Sequence, residues 1–199
     1  MKFALLDIET LSPQYRLKMT DVITGIGIKS EDGNWIRIIR PSGGRATDTD
    51  EANLIFEAIQ HLKEVKPDVL TGCYLWRFDL PHLLCRVNEL DYGYNRFTGK
   101  QLRLELERTL DGLKIIDLAI ADYVLEELAP RYNKTYLKVE EICKELKIET
   151  KKFPENLHVW VSAKAIAGDP KPLTERLESD LNEGWAILQV LLSQGHLQL

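Results

Sequence analysis

The first forty residues contain three short segments of β type, and the turns between them constrain what the chain can fold into. Phe3–Ile8 is almost wholly apolar, as expected of a central strand that is covered on both faces. Val22–Ile28 and Trp35–Ile39 are rich in β-branched residues, and Asp32 and Gly33 between them are typical of a hairpin turn. The chain is therefore predicted to open with a three-strand antiparallel meander.

From Asp50 onward the apolar residues recur with the period of a helix, which is predicted to end before Pro67. Strands and helices then alternate, with strands predicted at 68–72 and 113–117 and helical patterns at 80–90, 118–128, 137–146 and from Pro172 to Gly195. Residues 91–110 give no clear pattern. These elements predict a single domain spanning residues 1–199, of the α/β class, with a central mixed sheet of about five strands flanked by helices.

Composition limits the partners that such a domain can hold. The 199 residues include 26 basic and 31 acidic side chains, so the net charge of −5 provides no overall positive field for nucleic acid or a membrane surface. Any such partner must be bound locally. Three cysteines at no zinc-binding spacing indicate a reducing, cytoplasmic setting, and no apolar run is long enough to predict a membrane span.

Two carboxylates stand two residues apart at the end of the first predicted strand. The period of a strand points Asp7 and Glu9 to the same side of the sheet, where their charges repel. A cation between them relieves the repulsion, and hard oxygen ligands suit Mg²⁺ or Mn²⁺. The alternative is a solvated strand end, because an Asp-x-Glu sequence is common by chance.

Two further acidic residues occupy informative positions. Asp79 directly precedes the helix predicted from Leu80, where it either joins the first pair or caps the helix. Asp180 falls in the middle of the last helix beside its apolar stripe, a position at which carboxylates are rare. Gly184, one turn later, would let that helix approach the sheet closely and bring Asp180 over the strand ends.

These residues resemble the three motifs of the DEDD 3′-5′ exonucleases, and most closely the version in the exonuclease domain of family B DNA polymerases. Residues 3–10 with Asp7 and Glu9 are similar to the first motif, residues 72–81 with Asp79 to the second, and Asp180 to the third. Similarity extends over most of the chain, at residues 21–23, 115–118 and 136–143.

The resemblance implies a ribonuclease H-like fold and a catalytic site with two divalent ions, Mg²⁺ or Mn²⁺. Asp7, Glu9 and Asp180 would bind one ion, and Asp7 would bridge to a second ion that Asp79 holds directly or through water. Such a pair of ions clamps the attacking and leaving oxygens during phosphodiester hydrolysis. An acidic protein can in this way cut a polyanion. Asp117 is interpreted as a structural cap at the end of its strand.

The resemblance also implies residues that bind the substrate. Thr10 and Leu11 would lie against the 3′-terminal nucleotide, with Leu11 as an apolar wedge. Apart from the resemblance, Trp76, Arg77 and Phe78 combine aromatic surface with a cation beside Asp79, which suits a single strand with stacked bases. The alternatives are a loop start for Thr10 and Leu11, a core position for Phe78 and an exposed one for Arg77.

The chain departs from the family pattern at two positions. Tyr74 stands where the family usually has Asn, and it either stacks on a base or is a half-buried aromatic residue. Arg176 stands where the family has the Tyr that orients the attacking water, and Glu175 takes the position of the His variant. Arg176 stays protonated, so it either holds a phosphate or offsets the carboxylate charges.

The sequence thus predicts a metal-dependent 3′-5′ exonuclease that converts single-stranded DNA, or frayed or mismatched 3′ ends, to nucleoside monophosphates. One alternative is a module that binds nucleic acid or a replication or repair protein with weak or lost catalysis. A second alternative is a 3′-5′ exoribonuclease. Residues 131–152 carry seven basic and four acidic residues, which either follow a nucleic-acid backbone or form an ordinary solvated face.

Overall fold

The computed structural model describes residues 1–11, 21–41, 46–98, 101–153 and 157–197, and of residues 92–98 and 157–160 only the backbone. Within these ranges five strands form one mixed sheet in the order β3-β2-β1-β4-β5. The strands are β1 (Phe3–Leu11), β2 (Val22–Ser30), β3 (Gly33–Ile38), β4 (Val69–Gly72) and β5 (Lys114–Asp117). The first three pair antiparallel, and β4 lies parallel to both β1 and β5. The predicted meander and the mixed sheet are confirmed.

Helices cover both faces of this sheet. They are α1 (Asp48–Val65), α2 (Asp79–Thr98), α3 (Leu102–Leu110), α4 (Val139–Glu145), α5 (Leu157–Ile166) and α6 (Lys171–Ser193). Short helical turns at Leu118–Ile120, Val124–Leu128 and Ala129–Tyr132 replace the regular helix that was predicted over 118–128. The segment 91–110, unassigned from sequence, completes α2 and forms α3 on either side of residues 99 and 100.

The alternation of β1 divides the core into two layers. Ala4, Leu6 and Ile8 pack on the face that α1 and α2 cover, whereas Phe3 and Leu5 pack against α6 and the helical turns after β5. Along a strand, successive side chains point to opposite faces, so the odd positions that follow Leu5 continue toward α6. The fold therefore places Asp7 and Glu9 on the α6 side of the sheet.

A buried ion pair joins the other layer to the sheet. Glu51 of α1 is fully buried and accepts hydrogen bonds from the backbone N–H of Ile23, at 2.8 Å, and from Nε of Arg86, at 2.8 Å. Arg86 also pairs with Glu89. One carboxylate thus connects α1, α2 and β2.

The structure also shows the state of the cysteines and the lengths of the helices. Cys73, Cys85 and Cys143 are free thiols. Among the described residues, no helix is both long enough and apolar enough to cross a lipid bilayer.

Candidate active site

Asp7 and Glu9 lie where β1 extends beyond its parallel neighbour. β4 pairs with β1 from Phe3 as far as Leu5, and it ends at Gly72. The register between β1 and β2 then shifts between Glu9 and Thr10, a β-bulge that ends the regular alternation just after the second carboxylate. The two carboxylates therefore project at the carboxyl end of the parallel strands, which is the usual place for a ligand in an open α/β sheet.

Close packing of α6 on the sheet brings Asp180 to the same place. A Cβ atom added to Gly184 would lie 2.7 Å from Cδ1 of Leu5, and one added to Gly27 would lie 2.8 Å from Cδ1 of Leu181. Both distances are shorter than any normal contact, so the approach depends on glycine in the helix and in β2. The sequence-based interpretation of Gly184 is supported by this geometry.

Asp7, Glu9 and Asp180 come together as one group. Each offers a carboxylate oxygen, and these three oxygens all lie within 4.8 Å of one another. Atom Oδ2 of Asp7 is buried and has no hydrogen-bond partner among the described residues. A buried oxygen without a donor is costly, and a divalent cation is the partner that hard carboxylate ligands accept most readily. The residues present therefore fit a Mg²⁺ or Mn²⁺ ion.

Asp79 borders this group without being part of it. It is the first residue of α2 and is 2% exposed, and its Oδ1 accepts a hydrogen bond from the backbone N–H of Ile8 at 3.2 Å. Burial raises the pKa of Asp79 well above its ordinary value, against the effect of the hydrogen bond from Ile8. Asp79 thus binds the backbone between Asp7 and Glu9, and its charge also raises the pKa of Asp7.

The electrostatics of the group favour a bound cation. Burial raises the pKa of Asp7 well above its usual range, and the charge of Asp180 adds to this effect. Burial and the charge of Asp180 raise the pKa of Glu9 to about 7. Burial also raises the pKa of Asp180 to about 6, although Arg176 opposes the shift. Without a cation the three carboxylates do not all ionise easily at neutral pH.

Arg176 supplies part of the missing positive charge. Its Nε donates to Oδ2 of Asp180 at 2.6 Å and lies 3.5 Å from Oε1 of Glu9. Burial lowers the pKa of Arg176, but the charges of Asp180 and Glu9 outweigh that effect and raise it above its ordinary value. Of the two roles considered from sequence, this contact corresponds to offsetting the carboxylate charges.

Tyr74 is held by hydrogen bonds from both its side chain and its backbone. Its hydroxyl donates to the carbonyl of Leu137, and its backbone N–H donates to Oδ1 of Asp117 at 2.9 Å. Burial raises the pKa of the phenol to about 12. The backbone has a φ of 63°, an uncommon conformation for a residue with a side chain. Tyr74 is therefore a half-buried anchor of the loop between β4 and α2.

Asp117 organises the same loop, as its interpretation as a cap predicted. Its carboxylate accepts hydrogen bonds from the backbone N–H groups of Tyr74, Trp76 and Ala119, at 2.9, 3.0 and 3.0 Å. The loop then presents Trp76, whose side chain is 51% exposed, and Arg77, whose guanidinium lies 5.8 Å from the ring of Tyr136. Phe78 packs edge-on against the buried His82, so one side of its ring belongs to the core.

The two residues after Glu9 have different surroundings. Thr10 is 5% exposed, and its carbonyl accepts a hydrogen bond from the hydroxyl of Ser162 in α5 at 3.0 Å. Leu11 ends β1 and is partly buried. Thr10 still borders the cleft beside Glu9, and its backbone is fixed by α5.

A cleft of about 1070 Å³ opens over the carboxylates. The predicted residues Asp7, Glu9, Thr10, Tyr74, Arg77, Phe78, Asp79, Arg176 and Asp180 all line it. The cleft wall also contains residues that the sequence analysis did not assign to the site, namely Tyr136, Lys138, Glu140, Lys151, Lys152, Phe153 and Glu183. Five of these lie within the segment 131–152, whose excess of basic residues was the available signal.

Comparisons with known proteins agree with this geometry. A model of the exonuclease domain of DNA polymerase family B matches residues 29–112, which include Asp79 and make up less than half of the chain. The structure of the family B DNA polymerase from the archaeon Pyrobaculum calidifontis superimposes with a TM-score of 0.67 over 96% of this chain, at 16% sequence identity. The chain is similar to the exonuclease domain of family B DNA polymerases. That resemblance and the ribonuclease H-like α/β fold, both predicted from sequence, are confirmed.

The extent of the likeness is limited in two ways. The chain spans 24% of the length of the archaeal polymerase. No curated protein sequence matches it significantly. Because the sequence identity to the superimposed structure is low, the superposition establishes only the fold, and the chemistry must be argued from the site.

Relative to the family B pattern, Arg176 and Tyr74 are the departures that alter the site. Where the resemblance leads us to expect an aromatic residue, Arg176 provides a guanidinium bound to two carboxylates. At the position of the amide, Tyr74 provides a phenol bound to Leu137.

Proposed function

We propose that the chain is a metal-dependent 3′-5′ exonuclease that acts on single-stranded DNA, or on frayed or mismatched 3′ ends, and releases nucleoside monophosphates. The observation that carries this proposal is the group formed by Asp7, Glu9 and Asp180, whose oxygens lie within 4.8 Å of one another around a buried oxygen without a donor. A purely structural role does not explain such a cluster, because like charges in a buried place destabilise the fold.

In this proposal Asp7, Glu9 and Asp180 hold one divalent ion, and Asp7 and Asp79 hold a second. When bound, such ions neutralise the carboxylates and stabilise the oxygens of an in-line displacement at phosphorus. The oxygen of a water molecule forms the new bond to phosphorus, the bond from phosphorus to the 3′ oxygen breaks, and that oxygen takes a proton. The products are a nucleoside 5′-monophosphate and a strand shortened by one nucleotide.

The protein's own residues would hold the strand for this reaction. Arg77, Lys138, Lys151 and Lys152 border the cleft and provide local positive charge in a chain whose net charge is −5. Tyr136, which lines the cleft, and Trp76, which directly precedes the cleft residue Arg77, both expose aromatic surface, which suits stacking with unpaired bases. Duplex DNA keeps its bases stacked inside, so this surface supports a preference for single strands or frayed ends.

A second candidate function is a nucleic-acid-binding module with weak or lost catalysis. The contact of Arg176 with Glu9 and Asp180 favours it, because this guanidinium partly neutralises two proposed ligands without an ion. The unpartnered Oδ2 of Asp7 favours the enzyme, since Arg176 does not satisfy it. An exoribonuclease differs only in the sugar that the cleft accepts.

The test is digestion of 5′-labelled single-stranded DNA and RNA of the same sequence with Mg²⁺, with Mn²⁺ and with EDTA. The parent protein should produce a descending ladder on DNA only when metal is present. Asp7→Asn should leave the substrate intact, whereas the exposed control Asp122→Asn should behave as the parent. A ladder on RNA alone favours the exoribonuclease. Intact substrate with both metals, together with retained strand binding, favours the binding module.

A further inference from the structure

Arg176 occupies a place in the cleft where three other groups meet. Its Nε contacts Oδ2 of Asp180 at 2.6 Å and Oε1 of Glu9 at 3.5 Å, and its guanidinium carbon lies 5.4 Å from the centroid of the Phe153 ring. The side chain is 29% exposed, and that of Glu9 is 12% exposed. Ion pairs in such surroundings are screened less than those on the open surface.

The position of Arg176 follows from its spacing on α6. Asp180 is four residues later, so both side chains lie on the same face of the helix. That face is held against β1 by the contact between Gly184 and Leu5, which puts Glu9 within reach of the same guanidinium. One positive charge thus bridges two of the three carboxylates, while Oδ2 of Asp7 has no hydrogen-bond partner in the described part of the chain.

A bound guanidinium and a divalent ion make opposing demands on these oxygens. The oxygen of Asp180 that accepts the N–H of Arg176 has fewer lone pairs to offer, and a positive charge beside it repels an incoming cation. The guanidinium does not lose its charge at any ordinary pH, so only movement of the side chain relieves the conflict. The guanidinium already lies over the ring of Phe153, which the ammonium of Lys151 also approaches, so a cation–π contact within the cleft does not depend on the bond to Asp180.

We infer that Arg176 is a resident counter-cation of the carboxylate group, which competes with the divalent ion for Glu9 and Asp180 and thereby sets the metal concentration at which the site fills. This inference rests on the proposed function, since it assumes that the group is a metal site. It adds a regulatory property that the family pattern does not contain, because an aromatic residue at this position carries no charge. The chain should therefore be active only when divalent ions are abundant.

The test is calorimetric titration of Mn²⁺ into the metal-free full chain at one fixed pH. Arg176→Met should bind Mn²⁺ about tenfold more tightly than the parent, the change that accompanies loss of about 1.4 kcal/mol of competing interaction. Arg176→Gln serves as a second variant without charge. The matched control is Arg103→Met, which removes an Arg of another i,i+4 pair, with Glu107 at 2.7 Å, outside the cleft. It should leave the affinity unchanged.

Thermal unfolding separates competition from a merely structural role. In EDTA, Arg176→Met should melt below the parent, because its carboxylates have lost their counter-charge. With saturating Mn²⁺ the two proteins should melt alike, since the ion then supplies that charge. An equal loss of melting temperature in both conditions, or an unchanged or weaker Mn²⁺ affinity in Arg176→Met, would overturn the inference.

The outcomes also distinguish this inference from the proposed function. If Mn²⁺ affinity depends on Arg176 but no nucleic acid is cleaved, the counter-cation role stands and the exonuclease proposal fails. If nucleic acid is cleaved and Mn²⁺ affinity is independent of Arg176, only the counter-cation role fails. If neither the parent nor the two neutral variants bind Mn²⁺, both are overturned.

Discussion

Asp7 is the residue for which stability and the proposed chemistry conflict most directly. Its Oδ2 is buried without a donor, and the nearby charges of Asp180, Asp79 and Glu9 all raise its pKa. We expect Asp7→Asn to stabilise the metal-free protein by about 1 kcal/mol, since an amide removes the repulsion at nearly constant shape. For a chain of this size that corresponds to roughly 2–4 °C in melting temperature.

Thermal unfolding in EDTA measures this gain in stability. The same experiment with Mn²⁺ measures how much stabilisation by the metal the variant has lost. The parent should gain stability when Mn²⁺ is added, and Asp7→Asn should gain little. Asp122→Asn, on the exposed surface, should resemble the parent in both conditions. A metal-free Asp7→Asn that is less stable than the parent would show that Asp7 has a structural partner which the site geometry does not include.

Glu9 and Asp180 predict an unusual response to pH. Their pKa values are about 7 and about 6 in the folded protein, raised by burial above the values of about 4 expected after unfolding. As pH falls from about 8 to about 5, the folded state binds protons that the unfolded state does not yet bind. The metal-free protein should therefore become more stable over this range.

Thermal unfolding in EDTA across that pH range checks the sign. The rise in stability should be smaller in Glu9→Gln, which cannot take up the proton. With saturating Mn²⁺ the slope should reverse, because protons then compete with the ion for the same oxygens. If the stability of the parent in EDTA decreased as the pH was lowered, as it should with Mn²⁺, the assigned pKa shifts would be contradicted.

At the scale of elements, the site depends on how closely α6 approaches β1. A Cβ atom at Gly184 would lie 2.7 Å from Leu5 Cδ1, so a β-branched side chain has no room. We expect Gly184→Val to cost about 1–3 kcal/mol through overpacking and to weaken Mn²⁺ binding, because α6 carries Asp180 away from Glu9. Urea unfolding and Mn²⁺ titration measure the two effects.

The control for this change lies on the same helix. Glu178 is exposed on α6, and Glu178→Val should cost only the difference in helix propensity, about 0.5 kcal/mol, with no change in Mn²⁺ binding. If Gly184→Val bound Mn²⁺ as the parent does, the close contact of helix and strand would have no role in positioning the carboxylate.

A buried ion pair between Glu51 and Arg86 joins α1 to α2. Glu51 is fully buried and neutralises Arg86, whose side chain is 8% exposed, while Glu89 on the same arginine is 42% exposed. We expect Glu51→Ala to cost about 3 kcal/mol, because it leaves a buried guanidinium and the N–H of Ile23 without this partner. Glu89→Ala should cost about 0–1 kcal/mol, as is usual for exposed pairs.

Chemical denaturation of both variants provides the comparison. Equal losses of stability would mean that burial does not decide the strength of this pair. Neither variant touches the cleft, so both should retain the Mn²⁺ affinity of the parent when folded.

For the whole molecule, the parts that sequence predicted well are those with a single period and clear turns. The meander followed from the β-branched segments around Asp32 and Gly33, and α6 from its apolar stripe after Pro172. The helix α5 was missed because Leu157–Ile166 is short and carries Val159 and Val161, which favour strands as much as helices. Local sequence did not separate α2 from α3 between 91 and 110.

The candidate site divides in the same way. The grouping of Asp7, Glu9 and Asp180 was predictable because strand alternation and a helical glycine constrain it, and because the motifs resemble a known family. The contact of Arg176 with Glu9 joins residues 167 positions apart, and the approach of Phe153 to Arg176 depends on residues 150–153 lining the cleft. No local pattern encodes such contacts, so only the folded structure shows them.

The central claim is that Asp7, Glu9 and Asp180 form a divalent metal centre, and a crystal grown with Mn²⁺ tests it most directly. Anomalous scattering locates manganese independently of any assumption about the site. We predict a peak bounded by these three carboxylates, with the guanidinium of Arg176 withdrawn from Asp180. A crystal with Mn²⁺ present, no anomalous peak in the cleft and Arg176 still paired with Glu9 and Asp180 would contradict the account.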